Sequence, residues 1–162
     1  MNFRDSCYLS AKEAKSFSEA EQYCKEQGED VHLVSIQDIA EEDFTIVYSF
    51  PDNIWIGLSK ADVDGDGDVN TWRWSDGWPV TYTNWFNNDL NNETCASLHN
   101  RETKWFQANC DETYQFVCKW TNASKPSPPP PSPCPDDWED IGGEKCYKFK
   151  LDSYAYVSSI GI

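Results

Sequence analysis

Seven cysteines in a chain of 162 residues limit the possible folds more than any other feature of the sequence. A zinc site usually needs cysteines two residues apart, often with histidines, but no cysteines here are so spaced and His32 and His99 are the only histidines. The cysteines therefore favour a disulfide framework made in an oxidising compartment. They stand at Cys7, Cys24, Cys95, Cys110, Cys118, Cys134 and Cys146.

Two N-x-[ST] triplets also indicate an extracellular protein and make Asn92 and Asn122 candidate glycosylation sites. Met1 is not followed by the apolar segment of a signal peptide. We therefore expect the chain to be a piece of a longer secreted protein or of a membrane protein's ectodomain. The odd cysteine count fits this expectation, because a cut can separate a half-cystine from its partner.

The charge of the chain excludes several classes of partner. The formal net charge is −15 and the isoelectric point is about 4.3. No basic patch is visible that could bind a nucleic acid or an anionic membrane surface. No run of about 20 apolar residues could span a bilayer. The excess of carboxylates suits metal cations or basic partners.

The composition changes along the chain and divides it into three segments. Residues 1–120 are mixed and rich in aromatic residues, as expected of one folded domain. Residues 121–133 read TNASKPSPPPPSP, which predicts a proline-rich linker in the polyproline II conformation, with a proline-motif ligand as the alternative. Residues 134–162 begin a new cysteine-bearing block.

Two helices are predicted in the first segment. Ser16 and Glu19 form a capping-box pattern, and Gly28 gives a stop. The apolar face of this first helix would carry Phe17, Ala20, Tyr23 and Cys24.

The second helix is predicted over 36–48, with Ser35 as its cap and Pro51 beyond its end. Its apolar stripe would consist of Ile36, Ala40, Phe44 and Val47.

Short strand patterns follow the helices, which predicts an α+β domain. The strands are expected at 54–58, 72–74, 95–98, 104–106 and 116–119.

Several motifs then stand in the order typical of one family, and by them residues 7–120 resemble a C-type lectin-like domain. The resemblance implies two helices, short antiparallel sheets, a long irregular loop region and disulfides Cys24–Cys118 and Cys95–Cys110. The motifs are Cys24, Trp55-Ile56-Gly57-Leu58, Trp74-Ser75-Asp76-Gly77, Asn84-Trp85, Cys95, Cys110 and Cys118.

The C-terminal block, 134–162, resembles the opening hairpin of a second such domain, which implies a disulfide Cys134–Cys146. Asp5-Ser6-Cys7-Tyr8 resembles the end of the same hairpin in the first domain, so Cys7 would have lost its partner. Tandem domains of this kind resemble receptors of the mannose-receptor group. The second copy stops early, and we expect 151–162 to be poorly structured or to lie against the first domain.

Sugar-binding members of the family hold one Ca²⁺ with side-chain oxygens that also bind sugar hydroxyls. By resemblance, Asp89, Asn91 and Glu93 take ligand positions, but the proline expected between the first two is Leu90.

The family's second ligand motif, Trp-Asn-Asp, reads Trp105-Phe106-Gln107 here. The alternatives are a working calcium-dependent sugar site, a reshaped metal site, or a degenerate loop. A glycan on Asn92 would cover this surface. Trp85 and Phe86 could stack on a ligand, although core packing is the commoner role of such rings.

A second candidate metal site lies in the acidic loop that follows the first central strand. Its alternating carboxylates and Gly67 suit a calcium loop, while Arg73 stands where an EF-hand needs a glutamate. The alternative is a solvated acidic turn. The candidate ligands are Asp62, Asp64, Asp66, Asp68 and Asn70.

These features predict a binding module and not an enzyme, because the two histidines lie far apart in the sequence and all but one of the cysteines are expected to be paired. The ligand is a glycan or an extracellular protein. The first hypothesis is calcium-dependent carbohydrate recognition, and its rival is a protein-binding domain with only structural calcium.

Overall fold

The computed structural model describes residues 1–49, 53–60, 70–86 and 92–126, together with three strands between 139 and 161. The chain divides into two compact units, Met1–Pro126 and Ser127–Ile162.

Helix α1 (Phe17–Glu26) forms as the sequence predicts. The Ser16 hydroxyl accepts the Glu19 N–H at 3.4 Å, and the Glu19 carboxylate accepts the Ser16 N–H at 3.0 Å. Ala20 and Cys24 are fully buried, and Phe17 and Tyr23 pack beside them. The predicted capping box and the predicted apolar face are both confirmed.

Helix α2 (Ile39–Tyr48) begins three residues later than predicted, because Asp38 and not Ser35 is its cap. The Asp38 carboxylate accepts the Glu41 N–H at 2.9 Å. Ser35 lies fully buried before the helix and donates its hydroxyl to Asp76.

The predicted apolar stripe of α2 is also wrong. The side chain of Val47 is 72% exposed, whereas Glu41, Glu42 and Thr45 are the buried residues of the helix. The helix turns a polar face inward because donors from the sheet and from residues 82–84 converge on its two carboxylates.

Eight strands form one sheet, with order β1-β2-β8-β4-β6-β7, while β3 pairs with β8 and β5 with β4. All the pairings are antiparallel except that of β4 with β8. The five predicted strands are confirmed with shifted ends, and the full length of β2 was not predicted. The strands are β1 (Asn2–Phe3), β2 (Ser6–Lys15), β3 (His32–Leu33), β4 (Ile54–Ser59), β5 (Arg73–Trp74), β6 (Cys95–His99), β7 (Lys104–Ala108) and β8 (Tyr114–Thr121).

Strand β4 lies at the centre of the sheet and is buried along its whole length. A Cβ atom on Gly57 would lie 2.7 Å from the Leu33 carbonyl oxygen, so this close approach of two backbones requires glycine. Trp55, Trp74 and Trp105 fill the two sides of the core and are at most 1% exposed.

Both disulfides implied by the resemblance are present. Cys24–Cys118 joins α1 to β8, and Cys95–Cys110 joins β6 to the loop after β7, with Cα–Cα distances of 5.4 and 5.3 Å. Cys7 is a free, exposed thiol on β2.

A buried ion pair ties β8 to α2. The ammonium group of Lys119 lies 2.5 Å from the Glu41 carboxylate, and both side chains are about 95% buried. Lys119 also donates to the backbone oxygen of Ser35, and the Tyr8 hydroxyl donates to Glu41 at 2.5 Å. The two charges are thus paired and have further hydrogen-bond partners.

The second unit contains a three-stranded antiparallel sheet in the order β11-β10-β9. These strands are β9 (Glu139–Asp140), β10 (Lys145–Lys150) and β11 (Tyr156–Gly161). Of the two expectations for 151–162, poor structure is wrong for β11, which pairs with β10 and contains the strand-favouring residues Tyr156, Val157 and Ile160. That the segment lies against the first domain stays a prediction. Cys134 lies outside the described residues, so its bridge to Cys146 stays a prediction.

Candidate functional site

The described part of the chain contains four of the predicted ligand residues. Glu93 is half-buried, Trp85 is half-buried, and Phe86 and Asn70 are exposed. The remaining candidate metal ligands lie outside the described residues, namely Asp62, Asp64, Asp66, Asp68, Asp89 and Asn91.

Three stacked rings occupy the surface where the resemblance places the sugar site. The ring of Phe106 lies 3.9 Å from His99 and 4.7 Å from Phe86, measured between centroids, with interplanar angles of 17° and 18°. Backbone hydrogen bonds hold this geometry, because Phe86 donates to the Trp105 oxygen at 2.8 Å and Trp105 donates to Asn84 at 2.9 Å. We call these three rings the aromatic stack.

The aromatic stack does not fit a calcium shell at this position. Calcium takes six to eight oxygen ligands. Phe106 offers none where the family has its asparagine, and Gln107 offers a neutral amide in place of a carboxylate. Glu93 keeps an oxygen donor of the expected type. Within the described ranges, no three His, Cys, Asp or Glu side chains are grouped so that they could hold a metal ion.

A buried carboxylate fixes the loop that leads into the aromatic stack. Glu42 is 1% exposed and accepts hydrogen bonds from the Tyr82 hydroxyl at 2.7 Å and from the Asn84 amide at 2.8 Å. Its other oxygen accepts the indole N–H of Trp105 at 2.5 Å. Burial, together with the bond to Glu42, raises the pKa of the Tyr82 phenol well above its usual value. Glu42 thus holds residues 82–84 against β7.

Trp85 serves mainly in packing. Its ring lies 5.7 Å from Trp105 and 4.8 Å from Trp72, centroid to centroid. Phe86 points outward and is 42% exposed. Of the two rings predicted to contact a ligand, Phe86 is therefore the more accessible.

A cavity of about 480 Å³ opens beside the aromatic stack, on the same face of β6 and β7. Phe106, His99 and Tyr114 contribute rings to its wall, and Glu93 and Glu112 contribute carboxylates. Burial, aided by the hydrogen bond that the phenol donates to Glu112, raises the pKa of Tyr114 to about 12. Other lining residues are Ser97, Gln107, Ala108 and Asn109.

A second cavity of about 560 Å³ shares His99 and Tyr114 with the first. It extends toward the loop that joins β6 to β7, where Arg101 and Glu102 line it. The two cavities therefore adjoin each other, and the rings of His99 and Tyr114 line both of them.

Sequence reasoning missed Glu42, Ser97, Glu112 and Tyr114 as parts of this region. Nothing in the spacing of Glu42 marks it as a buried acceptor, because its donors come from loop and strand residues 40 to 63 positions away. Ser97 carried a usable signal, since it alternates with apolar Ala96 and Leu98 and so faces away from their side of β6.

Both candidate glycosylation residues are exposed. Asn122 follows β8, and Asn92 adopts the left-handed backbone conformation with φ = 53°. This conformation is one that asparagine tolerates better than most residues. Modification of Asn92 and Asn122 stays a prediction.

Comparison with known proteins identifies the family to which the chain belongs. The profile of the C-type lectin domain family matches residues 13–120, and the chain belongs to that family. No helix in the described part of the chain is long and apolar enough to cross a bilayer.

The chain is similar to the C-type lectin lectoxin-Lio1 of Erythrolamprus poecilogyrus, with 38% identity over 123 residues covering 70% of this chain and 72% of that protein. It is 28% identical to human C-type mannose receptor 2 over 96% of its own length, which spans 11% of the receptor.

Two solved structures show the same fold. Human lithostathine superimposes with a TM-score of 0.65 at 28% identity, covering 75% of this chain and 88% of the other. A calcium-independent type II antifreeze protein superimposes with a TM-score of 0.64 at 26% identity, covering 75% and 90%.

Proposed function

We propose that this chain is an extracellular binding module that holds its ligand without calcium at the position of the family's sugar site, and that the ligand is a protein. Binding, and not catalysis, is its activity. One observation carries the proposal: Phe106 stands where the family has an asparagine ligand and is stacked between His99 and Phe86. A phenyl ring cannot coordinate Ca²⁺, but the aromatic stack can pack against an apolar or aromatic group of a partner through its exposed ring, Phe86.

The similarity to a calcium-independent antifreeze protein supports the same reading, because it shows that this fold also serves without the metal. Two disulfides and two exposed sequon asparagines support an extracellular location. Any calcium bound by residues 62–70 would then be structural.

The second candidate function is calcium-dependent carbohydrate binding through Asp89, Asn91 and Glu93. One observation favours it: Glu93 is half-buried and lines the cavity beside the aromatic stack. A carboxylate in this place is what the family's ligand set requires.

The chain also suits a repeat in a larger protein. Similarity to human C-type mannose receptor 2 extends over 96% of the chain, and a second unit follows the first. We propose a lectin-like domain over 1–120, a linker over 121–133, and the start of a second domain over 134–162.

The test compares binding with and without EDTA. The chain is applied to arrays of neoglycoproteins and of extracellular proteins in about 2 mM Ca²⁺ and again in EDTA. This calcium concentration is near the dissociation constants of extracellular calcium sites. We expect protein binding that survives EDTA. Sugar binding that EDTA abolishes would instead establish the second candidate.

Variants then locate the surface. Phe86→Ala and Phe106→Ala should weaken the EDTA-resistant binding about ten-fold or more, as expected for aromatic side chains central to an interface. Trp120→Ala is the matched control. Trp120 is an aromatic residue on β8, and it is 39% exposed against 42% for Phe86. Equal loss in all three variants, or none in the first two, would contradict the assignment of this surface.

A further inference from the structure

The cavity beside the aromatic stack has an unusual combination of lining groups. Two carboxylates, the half-buried Glu93 and the exposed Glu112, line it together with the rings of His99, Phe106 and Tyr114. Among the described residues that line it there is neither lysine nor arginine. Within this described lining the two carboxylates therefore have no lysine or arginine partner, and Glu112 accepts a hydrogen bond from the Tyr114 hydroxyl.

A buried hydroxyl without a partner also lines this cavity. Ser97 is fully buried, and its Oγ makes no hydrogen bond in the structure. Strand alternation turns it to the face of β6 that carries His99, away from the core residues Ala96 and Leu98. A buried hydroxyl without a partner destabilises the fold, and a ligand that reaches Ser97 would remove this cost.

Rings and carboxylates together select for cations. A cation over an aromatic face is attracted by the ring's quadrupole, and the attraction grows when water is excluded. Each carboxylate adds a charge-assisted hydrogen bond to an ammonium or guanidinium group. The net charge of −15 on the whole chain draws cationic partners toward it over a longer range.

We propose that this cavity receives the cationic side chain, lysine or arginine, of a protein ligand. The proposal rests on the proposed function, because it names the group of the protein partner that this surface would recognise. Glu93 and Glu112 accept hydrogen bonds from the cation, Ser97 accepts another at the cavity floor, and Phe106 and Tyr114 contact the aliphatic part of the side chain.

The cavity is large enough for this role. Its volume of about 480 Å³ lies within the range of about 300–1,000 Å³ that ligand pockets occupy. The adjoining cavity, which His99 and Tyr114 border, leaves room for the backbone on which such a side chain is carried.

The test uses the full chain and small probes. Calorimetric titration with Nα-acetyl-lysine amide and Nα-acetyl-arginine amide should show saturable binding in EDTA, with a dissociation constant on the order of 1 mM. Nα-acetyl-norleucine amide, which keeps the apolar stem and lacks the charge, should bind at least ten-fold more weakly. Absence of saturable binding by both cations, or equal binding of norleucine amide, would overturn the proposal.

Variants tie the binding to this cavity. Glu112→Gln and Glu93→Gln should each weaken the tighter cation about ten-fold, the expected loss of a charged hydrogen bond. Glu29→Gln is the control, because Glu29 is exposed and does not line the cavity. Unchanged binding in both cavity variants, with melting temperatures like that of the parent chain, would contradict the proposal.

Glucosamine distinguishes a cationic sugar from a protein side chain. We expect it to bind more weakly than lysine amide, and binding at least as tight would overturn the assignment to a protein ligand. Loss of protein binding in EDTA would reject the proposed function, whatever the result with the lysine and arginine amides. Protein binding that survives EDTA while lysine and arginine amides fail would reject the cationic cavity alone.

Discussion

The indole N–H of Trp105 donates to the Glu42 carboxylate at 2.5 Å, which links the centre of β7 to the inner face of α2. Tyr82 and Asn84 donate to the other oxygen of the same carboxylate. One acidic group thus fixes the helix, the strand and the loop that carries Phe86. The aromatic stack depends on this arrangement, because residues 84–86 pair with β7 through Trp105.

Replacing Glu42 with glutamine should destabilise the domain. The amide keeps one acceptor oxygen but turns an N–H₂ group toward donors, so at least one buried donor loses its partner. We expect a cost of about 2–4 kcal/mol in the free energy of unfolding, measured by urea denaturation. Asp43→Asn on the exposed side of the same helix should change it by less than about 0.5 kcal/mol. Equal effects of the two substitutions would show that Glu42 does not organise the loop.

The Lys119–Glu41 pair should show strong coupling. Lys119→Met leaves the Glu41 charge buried and uncompensated, which should cost about 3–5 kcal/mol. The double variant Lys119→Met, Glu41→Gln removes both charges and leaves an acceptor for Tyr8. Its cost should fall below the sum of the two single costs by about 1–3 kcal/mol in a double-mutant cycle. Additive costs would mean that the two charges do not stabilise each other.

Local sequence signals predicted those parts of the fold that local interactions determine. Ser16 and Glu19 lie three residues apart, so their reciprocal capping can be recognised from the sequence alone. The buried strand β4 is likewise a continuous apolar run. The two disulfides came from the resemblance and are confirmed.

The start and the face of α2 could not be predicted in the same way. Apolar spacing suggested that Val47 faces the core, but the helix buries Glu41 and Glu42 because their partners are Lys119, Tyr82 and Trp105. These partners are remote in sequence. The aromatic stack was missed for the same reason, since Phe86, His99 and Phe106 come from three separate segments.

The stability of the domain should fall in acid partly through Glu21. Burial acts to raise the pKa of Glu21, but hydrogen bonds from His32 and from the Leu33 N–H outweigh it and leave the pKa below its ordinary 4.5. A carboxyl group whose pKa is lowered by folding stabilises the folded state above its ordinary pKa, and this contribution is lost as the pH falls through the folded value.

Glu21→Gln should therefore reduce the loss of stability between about pH 5 and pH 3, measured by urea unfolding at each pH. Glu26 is an exposed residue on the same helix, and Glu26→Gln should leave the dependence of stability on pH as it is in the parent chain. If Glu21→Gln does not change the dependence of stability on pH, this carboxylate is not a source of the acid sensitivity.

The two disulfides should differ in their effect on stability. Cys24–Cys118 joins residues 94 positions apart and Cys95–Cys110 joins residues 15 apart. From the entropy of loop closure, the two bridges should stabilise the folded state by about 4–5 and about 3 kcal/mol, respectively. Paired Cys→Ser variants, compared by urea unfolding, should lose stability in that order. The reverse order would mean that local strain or residual structure outweighs chain entropy here.

Calcium should raise the melting temperature if Asp62, Asp64, Asp66, Asp68 and Asn70 hold an ion, because a ligand that binds only the folded state stabilises it by RT ln(1 + [L]/Kd). At 100 times the dissociation constant this amounts to about 2.7 kcal/mol. The double variant Asp64→Asn, Asp66→Asn should lose most of the response. The double variant Glu26→Gln, Glu29→Gln removes the same charge from two exposed positions, one at the end of α1 and one beyond it, and should keep the response to calcium. If the first variant responds to calcium as the parent chain does, the acidic loop is a solvated turn, and any calcium effect must come from Asp89, Asn91 and Glu93.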